Sequence, residues 1–145
     1  MEGNYLSSLE KDTKALAQKL VNHLKDYRSI CLWGGLAAGK TTFTQGIAEA
    51  FGLKRLTSPT FLIMKEYPVN NHDQITRLYH LDLYRLDDYS DLKALSLDEI
   101  LLDPKNLVVI EWPEKIKDQL PSHRIDINLR EKAQNEREIN ILYHS

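Results

Sequence analysis

Eight consecutive residues, Gly34-Gly35-Leu36-Ala37-Ala38-Gly39-Lys40-Thr41, match the pattern G-x-x-x-x-G-K-[ST]. Glycines at this spacing let successive backbone N–H groups wrap a phosphate, and a helix starting at the lysine aims its positive dipole end at the same charge. Lys40 then reaches the β- and γ-phosphates of a nucleoside triphosphate and the Thr41 hydroxyl ligates Mg²⁺, with Thr42 in the same first helical turn. The ligand this implies is a purine nucleoside triphosphate, most simply Mg-ATP. A GTP-specific site is disfavoured, because the chain contains neither an N-K-x-D base-reading segment nor a D-x-x-G segment.

A loop of this kind needs a carboxylate near the metal, usually at the tip of an adjacent aliphatic strand. Leu107-Val108-Val109-Ile110 ends in Glu111-Trp112-Pro113, so Glu111 is the candidate. Asp82 lies in a second strand-like run and is suited to orienting an attacking water or completing the outer shell of a metal; taken alone, a polar strand residue is more often structural. Thr60, in a loop after the lysine-bearing helix, has the residue type of a γ-phosphate sensor, although threonine also favours strand starts. His23, His72, His123 and His144 show no metal-ligand spacing and receive no role.

The elements needed to position these groups occur in the required order. Ser29-Ile30-Cys31-Leu32-Trp33 reads as a buried strand feeding the glycine turn, and Phe43, Ile47, Ala48 and Phe51 mark a helix over residues 40–51, stopped by Gly52. Before them, Ser7, Ser8, Leu9 and Glu10 suggest a capping box. A helical stripe follows it at Leu9, Thr13, Leu16, Ala17, Leu20 and Leu24. After a loop at Thr57-Ser58-Pro59, residues 61–64 and 78–84 read as strands joined by a polar turn over 69–74. Alternation in the second strand puts His80, Asp82 and Tyr84 on one face. Residues 88–101 suggest one or two short helices. Alternating segments 124–129 and 138–143, flanking polar residues 130–137, predict an antiparallel hairpin.

Composition bounds the rest. At 145 residues the chain has the size of a single domain, and its 42% apolar and 28% charged content is ordinary globular usage. No internal repeat, low-complexity tract or linker divides it. No apolar run approaches the roughly 18 residues of a membrane span, and the N-terminus lacks the pattern of a secretory signal, so a cytoplasmic location with no membrane partner is expected. Cys31, the only cysteine, reads as a core residue. A net charge of −2 and a pI near 6.2, with basic residues dispersed among acids, disfavour direct tight binding to nucleic acid.

Five segments together carry a family resemblance: residues 34–43, Ser58-Pro59-Thr60-Phe61, His80-Leu81-Asp82-Leu83-Tyr84-Arg85, Val109-Ile110-Glu111-Trp112, and Leu120-Pro121 before the final strands. In these the chain resembles the TsaE (YjeE) family of P-loop ATPases, which serve the bacterial synthesis of threonylcarbamoyladenosine in tRNA. The resemblance implies an α/β fold of the P-loop NTPase type, a three-layer sandwich with a mixed central sheet and the C-terminal hairpin. It also implies Mg-ATP binding with slow hydrolysis to ADP, and partnership with TsaD and TsaB through which tRNA is reached indirectly. Lys40 would contact phosphate, Thr41 and Glu111 would hold Mg²⁺, Asp82 would support hydrolysis, and Thr60 and Trp112 would shape the nucleotide site and its rim. Thr13 would lie near the base, and Arg137 would approach the nucleotide from the hairpin.

Two residues depart from the usual G-D-L-G-A-G-K-T of that family. Gly35 replaces an acid and Ala37 replaces a glycine. If position 37 requires a positive φ, the added Cβ costs of order 1 kcal/mol there. Two other classes share the glycine-rich loop: a small kinase, for which no lid-like insertion is visible, and a nucleotide-dependent binding module in which turnover is incidental.

Overall fold

The computed structural model describes residues 1–54, 56 and 63–145. Seven strands form one mixed sheet: β1 (Gly3–Ser7), β2 (Ser29–Trp33), β3 (Met64–Pro68), β4 (Arg77–Asp82), β5 (Asn106–Glu111), β6 (Arg124–Ala133) and β7 (Glu136–His144). Their order across the sheet is β1-β7-β6-β2-β5-β4-β3. The central run β6, β2, β5, β4 is parallel, while β7 against β6, β1 against β7 and β3 against β4 are antiparallel. Parallel strands covered on both faces need continuous apolar sequence. The buried runs Ile30-Cys31-Leu32 and Leu107-Val108-Val109-Ile110 supply it.

Side chains of successive strand residues point to opposite faces, and the core accordingly divides in two. Ile30, Leu32, Leu78, Leu107, Val109, Ile125 and Ile127 pack beneath helices α1 (Glu10–Val21) and α2 (Lys40–Ala50). Cys31, Tyr79, Leu81, Val108 and Ile110 face the other way. They meet the short helices α3 (Ser90–Lys93) and α4 (Leu97–Leu102) and a 3₁₀ segment, Pro113–Gln119. Sheet and two helical layers make the expected three-layer α/β sandwich. Cys31 is fully buried, and desolvation, reinforced by Asp126, pushes its thiol up to about 12, which agrees with a core role.

The helical stripe is present in α1 as Thr13, Ala17, Leu20 and Val21, but Leu9 is exposed and serves as the N-cap. No serine closes a capping box. Instead the Asp12 carboxylate accepts the Leu9 N–H at 3.1 Å, half of that motif, while Ser7 Oγ turns inward to donate to Leu9 O at 2.9 Å. In α2, Phe43, Ile47 and Ala48 face the sheet, and the helix ends at Phe51 with Gly52 at φ +78°.

The expected strand over 61–64 appears in the described residues only from Met64, where β3 begins and continues to Pro68. The C-terminal hairpin is longer than its alternation suggested. Both strands run on through the polar segment to a tight turn at Gln134-Asn135, with Asn135 at φ +63°. β1 gave no sequence signal. Among the described residues no helix is long and apolar enough to cross a membrane.

Candidate functional site

Strand β2 delivers the chain to the glycine-rich loop at the carboxyl edge of the parallel strands, where open α/β sheets place their ligands. Gly34 has φ +153°, and a Cβ there would lie 2.5 Å from the Leu129 carbonyl oxygen, so only glycine fits between β2 and β6. Gly39, at φ +102°, is the N-cap of α2 and offers no side chain to cap the first-turn N–H groups. Between the two glycines Ala37 adopts φ +62°, the left-handed conformation in which a Cβ is costly, while Gly35 faces open space.

Lys40 is buried at the start of α2. Its Nζ donates to the Gly34 carbonyl and, at 3.1 Å, to that of Gly35, and stands 3.4 Å from the centroid of the Trp112 ring. Desolvation pushes the ammonium below the usual lysine range, whereas Glu111, Glu114 and Asp82 pull it back toward the charged form. The Lys40 Nζ thus lies between a π face and nearby carboxylates, with its donors on the carbonyls of its own loop.

Glu111 ends β5, only 2% exposed. Its Oε1 accepts the Thr41 hydroxyl at 3.5 Å, and its Oε2 accepts the Thr44 hydroxyl at 3.4 Å and lies 2.5 Å from His80 Nε2. The parallel register pairs Asp82 with Glu111 at the tips of β4 and β5, and Asp82 Oδ1 accepts the Tyr84 N–H at 3.1 Å. The Tyr84 and Trp112 rings sit 4.8 Å apart.

A cleft of about 390 Å³ is lined by residues 35–42, Asp82, Tyr84, Glu111, Trp112 and Arg137. A second, of about 340 Å³, shares Gly39, Thr42 and Arg137 with it and reaches Ser7, Glu10, Thr13 and Asn135. The structure therefore gathers Gly35, Leu36, Ala37, Ala38, Gly39, Lys40, Thr41, Thr42, Asp82, Glu111, Trp112 and Arg137 around one cleft and sets Thr13 in the adjoining one. The Thr13 hydroxyl is already engaged with Ser7 Oγ at 2.6 Å. Thr60 lies outside the described residues. Sequence reasoning missed Tyr84 and Asn135 as lining residues, and Thr44 and His80 as partners of Glu111. For His80 and Tyr84 the alternation of β4 was the available signal.

Among the described residues no three His, Cys, Asp or Glu side chains cluster as a metal cage. The donor set present is a threonine hydroxyl and a carboxylate oxygen 3.5 Å apart. Two neighbouring ligands of an octahedral cation at about 2.1 Å would stand about 3 Å apart, so a small adjustment brings both onto Mg²⁺, which takes few protein ligands alongside phosphate and water oxygens.

A strand, a phosphate-type loop, a helix opening on lysine and threonine, and a carboxylate on the neighbouring parallel strand define an α/β protein of the P-loop NTPase fold. Within that class the chain belongs to the TsaE family, described as "Threonylcarbamoyl adenosine biosynthesis protein TsaE", which matches residues 7–139. The tRNA threonylcarbamoyladenosine biosynthesis protein TsaE of Bacillus subtilis is 41% identical over 130 residues, covering 89% of this chain and 78% of that protein. Its counterpart in Treponema pallidum is 34% identical over 137 residues, covering 94% and 97%. The crystal structure of Bacillus subtilis YdiB superposes with a TM-score of 0.78 at 32% identity, covering all of this chain and 87% of that one.

Proposed function

We propose that this chain binds Mg-ATP in the cleft at the tips of β2, β4 and β5. We propose further that its slow hydrolysis of ATP supports threonylcarbamoyladenosine modification of tRNA in partnership with TsaD and TsaB. One observation carries the nucleotide reading: the glycine-rich loop, Lys40, Thr41 and Glu111 line a single cleft. The names of the TsaE relatives carry the pathway.

In this reading the β- and γ-phosphates take over from the Gly34 and Gly35 carbonyls as acceptors for Lys40, and backbone N–H groups of the loop and the first turn of α2 cradle them. Thr41 and Glu111 would hold Mg²⁺, which neutralises charge building up on the phosphates. Asp82, which lines the cleft beside Glu111, orients the attacking water. Trp112 and Tyr84 wall the site, and Arg137 reaches it from β7. A net charge of −2 fits a chain that reaches tRNA through its partners.

The test is a reconstituted modification reaction. Lys40→Ala and Glu111→Ala should each abolish the ATP-dependent support this chain gives to the partner complex, and undiminished support from either variant would overturn the proposal. Phosphate released to water distinguishes it from a kinase. Loss of support when turnover stops distinguishes it from a binding module.

A further inference from the structure

We infer that His80 is the positioning residue for the metal site: its Nε2–H fixes one oxygen of Glu111 so that the other is presented to Thr41 and the cation. This rests on the Mg-ATP reading above and adds a residue to it.

His80 lies on β4 opposite Val109, two residues before the Asp82–Glu111 pair, on the same face of the sheet. It is 3% exposed and Glu111 2%. A carboxylate that ligates a cation is ionised, and facing such a carboxylate oxygen at 2.5 Å Nε2 carries the hydrogen, since a ring lone pair there is repulsive. The remaining nitrogen, Nδ1, is buried and has no hydrogen-bond partner among the described residues. A histidine kept for structure satisfies both nitrogens, and a position this deep is filled more cheaply by an apolar side chain. The hydrogen bond that the described structure gives this ring is the one from Nε2 to Glu111.

What Nε2 does follows from the split of Glu111. Oε2 takes His80 and Thr44, while Oε1 faces Thr41. The bond to Thr44 is long at 3.4 Å, and the Thr44 hydroxyl is closer to the Lys40 carbonyl, at 2.9 Å, so His80 is the principal anchor. Rotation of the carboxylate would break the 2.5 Å contact, which keeps Oε1 aimed at the cleft. Partners of ligating carboxylates typically contribute about 10–100-fold to metal affinity or activity.

The experiment compares the wild type with His80→Phe, which keeps the ring and loses the donor, and His80→Gln, whose amide N–H stands near the position of Nε2. Binding of a fluorescent ATP analogue is titrated at equilibrium, first in EDTA and then against Mg²⁺. His80→Phe should bind the analogue in EDTA within about twofold of the wild type, yet need on the order of tenfold more Mg²⁺ for half-maximal enhancement. His80→Gln should recover most of that loss. A merely structural role would instead lower the melting temperature and the EDTA affinity together. Wild-type Mg²⁺ dependence in His80→Phe, or equal loss in both variants, overturns the inference alone. A wild-type protein whose binding shows no Mg²⁺ enhancement overturns the Mg-ATP reading and this inference with it.

Discussion

Each residue of the glycine-rich loop answers to a different constraint. Gly34 is fixed by the Leu129 carbonyl and Gly39 by its φ of +102°, whereas a Cβ on Gly35 would meet none of the described residues within 4 Å, so among them the lost acid has no steric cause. Ala37 is the strained member, at φ +62°. A non-glycine residue in the left-handed region costs about 1–2 kcal/mol, while the extra freedom glycine gives the unfolded chain costs about 0.4–1 kcal/mol, so relief of strain outweighs the lost rigidity. Ala37→Gly should therefore stabilise the protein by up to about 1 kcal/mol in denaturant unfolding, without weakening ATP binding. A clear loss of stability would show that the Ala37 methyl contributes packing that exceeds its strain. The placement of Lys40 and Glu111 at the end of the glycine-rich loop and the tip of β5 was legible from residue type and spacing. The His80–Glu111 contact was not, because 31 residues separate the two and only the parallel register of β4 on β5 brings them together.

At the scale of elements, α1 and α2 must approach closely for the loop to meet the cleft that α1 helps to wall. Gly46 permits it: a Cβ at this position would stand 2.8 Å from both the Ala17 Cβ and the Lys14 Cα. Its backbone is unstrained, so helix propensity alone would favour alanine by about 0.8–1 kcal/mol. The contact with backbone cannot be relieved by a rotamer change, and overpacking of this kind typically costs about 1–3 kcal/mol. Gly46→Ala should thus lower stability by up to about 2 kcal/mol despite the better helix former, which a urea melt would register; stabilisation would mean that the two helices can part freely. Helices and strands with a single strong period were readable in advance, as α2 and β5 show. β1 was not, since its strand character comes from pairing with β7 at the far end of the chain, and the hairpin strands outran their apolar alternation because cross-strand pairing carries the polar residues along.

For the whole molecule, the site joins parts of the chain that local structure leaves independent. Thr13 comes from α1, the loop follows β2, Asp82 and Glu111 end β4 and β5, and Arg137 comes from β7. A ligand in contact with these elements is bound by the folded protein and not by the unfolded chain, so by mass action it stabilises the entire fold, by about 2.7 kcal/mol at a hundred times its Kd. For a chain near 150 residues, 1 kcal/mol corresponds to about 2–4 °C, which gives a rise of roughly 5–10 °C in melting temperature with Mg-ATP at that concentration. The rise should grow with the logarithm of ATP concentration and shrink when EDTA is present. Lys40→Ala should lose most of it, because the variant removes the cation that faces the phosphates while leaving the sheet intact. Arg137→Ala should lose a smaller part, since Arg137 lies at the edge shared by the two clefts, and an equal shift in wild type and Lys40→Ala would place the nucleotide somewhere other than this loop.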